Sequence, residues 1–167
     1  MSYKVAGIAN EFLDRASAAG RAITAMHLQK FCYMAHGFDL ALFNRPLTVE
    51  KPEAWDYGPV YPTLYDSLKK FGSGAVTAPI CVNNWAKEDR VRGDVVRASL
   101  SNEETQLIDT IWKDYGNFEA FQLSALTHED NSPWAKIYKP GIKHLVIPDS
   151  LIKDYFVGLT SGAVAAE

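Results

Sequence analysis

The sequence predicts a mainly α fold: a compact single helical domain of about six to seven helices, with a small β-hairpin near 75–100 as an allowed addition. Three observations carry this. Apolar residues recur at spacings of three and four in several separate stretches. Capping residues and Gly or Pro breaks fall between those stretches. The length of 167 residues, 47% hydrophobic and 22% charged, suits one soluble core.

Val5, Ile8, Ala9, Phe12, Leu13 and Ala16 predict an amphipathic helix over 4–19, ended by Gly20. Thr24 caps the next helix. From Ala25 to Phe43 the stripe of Met26, Leu28, Phe31, Cys32, Ala35, Phe38 and Leu42 is wide, which places this helix at the centre of the fold. Asn44 and Pro46 stop it, and residues 45–54 read as an extended connection. A third helix is expected to start near Pro59 or Val60 and run to Phe71, because a first turn tolerates the missing N–H of proline.

Residues 75–100 fit either a hairpin, with strands over 75–82 and 91–100, or a loop. Ser101 and Glu104 have capping-box spacing and open a helix with the stripe Leu107, Ile108, Ile111, Trp112 and Tyr115. A short helix over 119–127 follows, and Ser132-Pro133 starts another. Asp149 or Ser150 caps the last helix, striped by Leu151, Ile152, Tyr155, Phe156 and Leu159. The end of the chain is small and weakly polar and is expected to fray. The expected organisation is one domain over 1–160 and a flexible tail over 161–167.

Composition narrows the chemistry. A net charge of -3, without a basic half, does not favour nucleic acid as the partner. Cys32 and Cys81 form no CxxC pair, so a zinc ribbon or thioredoxin-type motif is excluded. No run of residues approaches membrane-spanning length, so no membrane association is expected and a cytoplasmic location is the default. His27 and His36, nine positions apart on one helix, fall on opposite faces and do not share a metal. His128-Glu129-Asp130 is a group of ligand-type side chains, but a metal site needs more converging donors than one turn supplies. No HExxH, GxSxG or Walker-type motif is present. No catalytic residue, metal or cofactor is therefore assigned.

Two stretches are chemically dense. Glu53 to Pro62 combines large aromatics, Asp56 beside the opening Glu53, one glycine and two prolines. Pro59 fixes its own φ and biases Gly58 towards extended backbone, which predicts a rigid elbow built on Trp55, Gly58 and Pro59. Its plain role is a corner whose rings plug the core. Its functional role is to hold Asp56, Tyr57 and Tyr61 in fixed directions for a partner. The second stretch, Leu123 to Trp134, reads as a helix end, a polar turn and a Ser-Pro helix start. Thr127 and His128 suit closure of that helix end, and with Trp134 they form a second candidate contact patch.

In order along the chain, three patterns resemble the Panacea domain family, also called SocA-like or GepA-like. The first is Val5-Ala6, Ala9-Asn10 and Phe12-Leu13, followed by Ile23-Thr24, Met26, Leu28-Gln29-Lys30-Phe31 and Tyr33. The second is Glu53-Ala54-Trp55, then Tyr57-Gly58-Pro59-Val60. The third is Leu123-Ser124, Leu126-Thr127-His128 and Pro133-Trp134. Phe31 stands where the family more often has Leu, which keeps an apolar core position.

The resemblance implies a mainly helical, non-enzymatic antitoxin, often prophage-linked, encoded beside a small toxin. The expected mode is type II neutralisation, by direct binding of the cognate toxin. Asp56, Tyr57, Tyr61, Thr127, His128 and Trp134 are the candidate contacts. Homodimerisation stays open. The alternatives are a prophage-associated protein that binds a host factor, a proteolytic adaptor, and a metal-assisted hydrolase using His128, Glu129 or Asp130.

Overall fold

The computed structural model describes residues 1–82 and 93–165. Two long helices come first, α1 (Val5–Ala18) and α2 (Ala25–Phe43). A hairpin of β1 (Glu53–Trp55) and β2 (Gly58–Val60) leads into α3 (Pro62–Leu68) and a 3₁₀ turn (Lys69–Phe71). Then come α4 (Asn102–Tyr115), α5 (Ala120–Thr127), α6 (Pro133–Ile137) and α7 (Asp149–Ala165). None of these helices is long and apolar enough to cross a membrane.

The centre of the fold is α2. Its residues from His27 to Gly37 are all buried, a helix enclosed on every side. α1, α3, α4, α5 and α7 all pack on it. Phe31 stacks on Phe12 of α1, with centroids 5.0 Å apart, and meets the edge of Trp112 of α4 at 5.8 Å. On the other side Phe156 of α7 meets Phe38 and Tyr33 edge-on, at 4.8 and 5.7 Å. Gly37 makes this possible, because a Cβ there would collide with the Phe156 ring.

Local signals place the ends. Thr24 and His27 form a capping box on α2, and Ser101 and Glu104 form one on α4. Asn44 closes α2 in the left-handed region, at φ 53°. Pro62, rather than Pro59, occupies the first turn of α3. Pro59 instead lies in β2, so the third helix starts later than its sequence suggests.

Among the described residues the two-stranded sheet lies at 53–60, where an elbow was expected, and 75–100 contributes isolated bridges only. The latter region still brings its two legs together. Cys81 bridges Val95, with Val82 N–H donating to the Asp94 carbonyl at 2.8 Å and Val96 N–H to that of Ile80 at 3.0 Å. The turn expected between them, 83–92, lies outside the described residues. Buried Asn10 holds both legs against α1. Its amide nitrogen donates to the carbonyls of Ile80 and Val96, each at 2.9 Å, and its oxygen accepts from the Ile80 N–H at 2.9 Å. Asn10 thus uses its side chain in place of a third strand.

At the end of the described residues, α7 continues through Ala165. Alanine is the strongest helix former, and Ala163 and Ala165 extend the helix past Gly162. Residues 166–167 of the expected tail lie outside the described residues.

The aromatic packing around α2 yields a stability prediction. Phe156→Ala removes a nearly fully buried ring and is expected to destabilise the fold by about 3–5 kcal/mol. Trp112→Ala removes a partly buried ring and should cost clearly less. Urea denaturation of both variants checks the order, and an equal or reversed loss would contradict this packing.

Candidate functional site

The elbow is a β-hairpin with a two-residue turn. Trp55 pairs with Gly58, which leaves Asp56 and Tyr57 at the tip. Gly58 adopts φ +110°, a conformation that side-chain-bearing residues rarely take. Space demands glycine as well. A Cβ there would sit 2.8 Å from Lys30 Nζ and 3.2 Å from Thr127 Oγ1.

The hairpin is fastened from below by α2. Lys30 is 1% exposed, and its ammonium donates to the carbonyls of Tyr57 and Pro59, both at 3.0 Å. Gln29 grips the next residue in both directions. Tyr61 N–H donates to Gln29 Oε1 at 2.8 Å, and Gln29 Nε2 donates to the Tyr61 carbonyl at 3.1 Å. Two adjacent residues of one helix therefore bond the backbone of Tyr57, Pro59 and Tyr61, in and beside β2.

It is fastened from the side by α5 and α6. Ser124 Oγ donates to the Tyr57 carbonyl at 2.7 Å, so that oxygen has two donors. The Trp134 indole donates to the Trp55 carbonyl at 2.6 Å. Trp134 stacks on Tyr138, with centroids 4.4 Å apart and planes within 16°, and His128 meets its edge at 5.3 Å. The Tyr138 hydroxyl donates to Asp56 Oδ1 at 2.6 Å. This bond to a carboxylate raises the Tyr138 phenol above its usual range. On the far side, Trp55 donates to Glu53 Oε1 at 3.0 Å and packs on Tyr65.

The candidate residues divide by exposure. Asp56 is exposed and Tyr57 is 71% exposed, both at the tip. His128 and Trp134 are half-buried beside it. Tyr61 is 0% exposed, with its hydroxyl 3.2 Å from that of Thr48. Thr127 is also buried, and its hydroxyl bonds back to the carbonyls of Leu123 and Ser124 at 3.1 and 3.0 Å. Neither of these two side chains is presented at the surface where direct contact was expected of it. Trp55, Gly58 and Pro59 lie on the paired strands of the hairpin.

Thr127 closes the end of α5 as expected, whereas the His128 ring turns to Ser124 Oγ, at 3.4 Å from Nδ1. Glu129 and Asp130 are exposed on the turn beyond. Among the described residues, no three His, Cys, Asp or Glu side chains converge as metal ligands.

Sequence reasoning missed Lys30, Ser124, Tyr138 and Phe121 as parts of this site. Lys30 had a visible signal: a single lysine inside an otherwise enclosed helix needs a buried partner. Phe121, 71% exposed on α5, had none, because an apolar letter reads as core.

Burial pushes the Lys30 ammonium down to about 7. In the unfolded chain it titrates near 10.5. Between those values the unfolded chain binds more protons, so this group makes stability rise with pH, and the full penalty is carried below about 7. The stability of the wild-type protein relative to Lys30→Met is therefore expected to increase from about pH 7 to about pH 9, by at most about 1.4 kcal/mol per pH unit. Parallel urea titrations measure this, and a pH-independent difference would show that the ammonium is not desolvated.

The family model for antitoxin SocA-like, Panacea domain matches residues 28–135. That span runs from α2, just before Gln29 and Lys30, to α6, just after Trp134, and so takes in the hairpin and most of its fastenings. Antitoxin SocA of Caulobacter vibrioides (strain NA1000 / CB15N) is 33% identical over 155 residues, which cover 89% of this chain and 80% of that protein. No solved structure matches the chain. The chain belongs to the antitoxin SocA-like, Panacea domain family.

Proposed function

We propose that this protein is an antitoxin of a type II system, which neutralises a protein toxin by binding it directly, without a catalytic step of its own. The toxin is the product of a neighbouring gene, and the encounter takes place in the cytoplasm. One observation carries the reading beyond kinship. The exposed pair Asp56 and Tyr57 stands on a hairpin that Lys30, Gln29, Ser124 and Trp134 fasten to three helices. A rigid aromatic beside a directed carboxylate loses little freedom on binding, which is what an interface anchor requires.

Asp56→Ala and Tyr57→Ala are expected to leave the melting temperature nearly unchanged, since both side chains are exposed at a turn. Each is expected to cost about 2 kcal/mol of binding, or about thirtyfold in affinity. The experiment is co-expression with the product of the neighbouring gene, scored as rescue of growth. Full rescue by the folded double variant would place the interface elsewhere on the protein.

A further inference from the structure

The hairpin tip and α5 together make a larger face than the tip alone. Ser124 bonds the Tyr57 carbonyl and so fixes which flank of α5 lies beside the tip. At about 100° per residue, Phe121 and Ala125 lie within roughly 100° of Ser124, on one side of it. Both are exposed, and Phe121 matches Tyr57 at 71%. His128 continues the same flank through its contact with Ser124. An exposed phenylalanine and an exposed tyrosine, fixed on neighbouring elements, are an unpartnered apolar surface.

Acids outnumber bases in the two segments that build this face. Residues 52–68, which carry the hairpin and α3, hold three acids and no Lys or Arg. Residues 114–135, which carry α5, hold four acids and no Lys or Arg. The chain as a whole has 17 basic residues, so both gaps fall on the two segments that build this one surface. Asp66 pairs with Lys69 at 3.8 Å and Glu53 contacts His144 at 3.5 Å, whereas Asp56, Glu119, Glu129 and Asp130 enter none of the described ion pairs, and neither do Lys136 of α6 and Lys139 beyond it. Asp56 presents its carboxylate with Oδ1 held by Tyr138 and the Tyr57 ring beside it.

We propose that this face receives a basic segment of the partner, an arginine seated on Asp56 and Tyr57 with an apolar side chain against Phe121 and Ala125. The inference rests on the direct-binding reading above and names the chemistry of the bound surface. Arginine fits better than lysine, because a planar guanidinium stacks on an aromatic ring while donating to a carboxylate. The acids around the tip attract such a segment and repel an acidic one.

The probe is a short amphipathic peptide of leucine, alanine and arginine, with twins carrying lysine or glutamate in place of arginine. Binding is read by fluorescence anisotropy and by amide shifts in NMR. The arginine peptide is expected to bind best, to shift Asp56, Tyr57, Phe121 and Ala125, and to weaken with added salt. The glutamate twin is expected not to bind. Asp56→Asn, which keeps an acceptor for Tyr138, and Phe121→Ala are each expected to weaken the arginine peptide about tenfold. Asp154→Asn, the same charge change on α7, should leave it unchanged. Equal binding of the glutamate twin, shifts centred elsewhere, or an unaffected Asp56→Asn overturns the proposal. Growth rescue by the wild-type protein is scored in parallel. Rescue without arginine selectivity overturns this inference alone, whereas selective peptide binding without rescue overturns the antitoxin reading alone.

Discussion

The contact on which the rest of this site depends is the Lys30 ammonium under the carbonyls of Tyr57 and Pro59. An ammonium removed from water is expensive, and among the described residues no carboxylate pairs with this one. What it has are two carbonyl oxygens, that of Pro59 and that of Tyr57, which Ser124 also bonds. The buried ammonium depends on these oxygens for its hydrogen bonds, so the hairpin and the helix are matched to each other. Gly58 completes the arrangement, since a Cβ there would press to 2.8 Å from the ammonium nitrogen.

Other polar residues of α2 follow the same logic. His27 bonds the Phe118 carbonyl and so ties α2 to the turn between α4 and α5. His36 contacts Asp149 at the start of α7 through Nε2, at 2.9 Å, while its Nδ1 accepts from the backbone of Leu47 at 3.2 Å. The His36 contact holds the Asp149 carboxyl below its usual range. Asp39 sits against Arg45, and its burial pushes its carboxyl up to about 6. Apolar packing around α2 supplies the driving force, but these contacts decide which element lies where. Hydrophobic burial is not directional, and hydrogen bonds are.

Function then becomes a question of which groups are left over. The hairpin's backbone is satisfied from inside, which frees the side chains at its tip for contact outside. Tyr57 and Tyr61 lie four positions apart and have opposite fates. Tyr61 follows β2 and is drawn inward by Gln29, whereas Tyr57 occupies the turn, where no neighbouring element covers it. A face held by three helices offers a partner a surface that does not need to be ordered on binding.

The sequence by itself determined the helices and most of their ends. Caps such as Thr24 and Ser101, and breaks such as Asn44, act within one turn and are legible without the fold. It also marked the Glu53–Pro62 and Leu123–Trp134 stretches as special, and the three patterns carried the family. Tertiary structure decided the remainder. That the elbow is a hairpin, that Tyr61 and Thr127 are buried, and that Lys30 lies beneath Gly58 all depend on contacts between residues distant in the chain. The exposure of Phe121 depends on which face of α5 meets the hairpin. Local preference is written in neighbouring residues, but burial is a property of what arrives from elsewhere, and no periodicity records it.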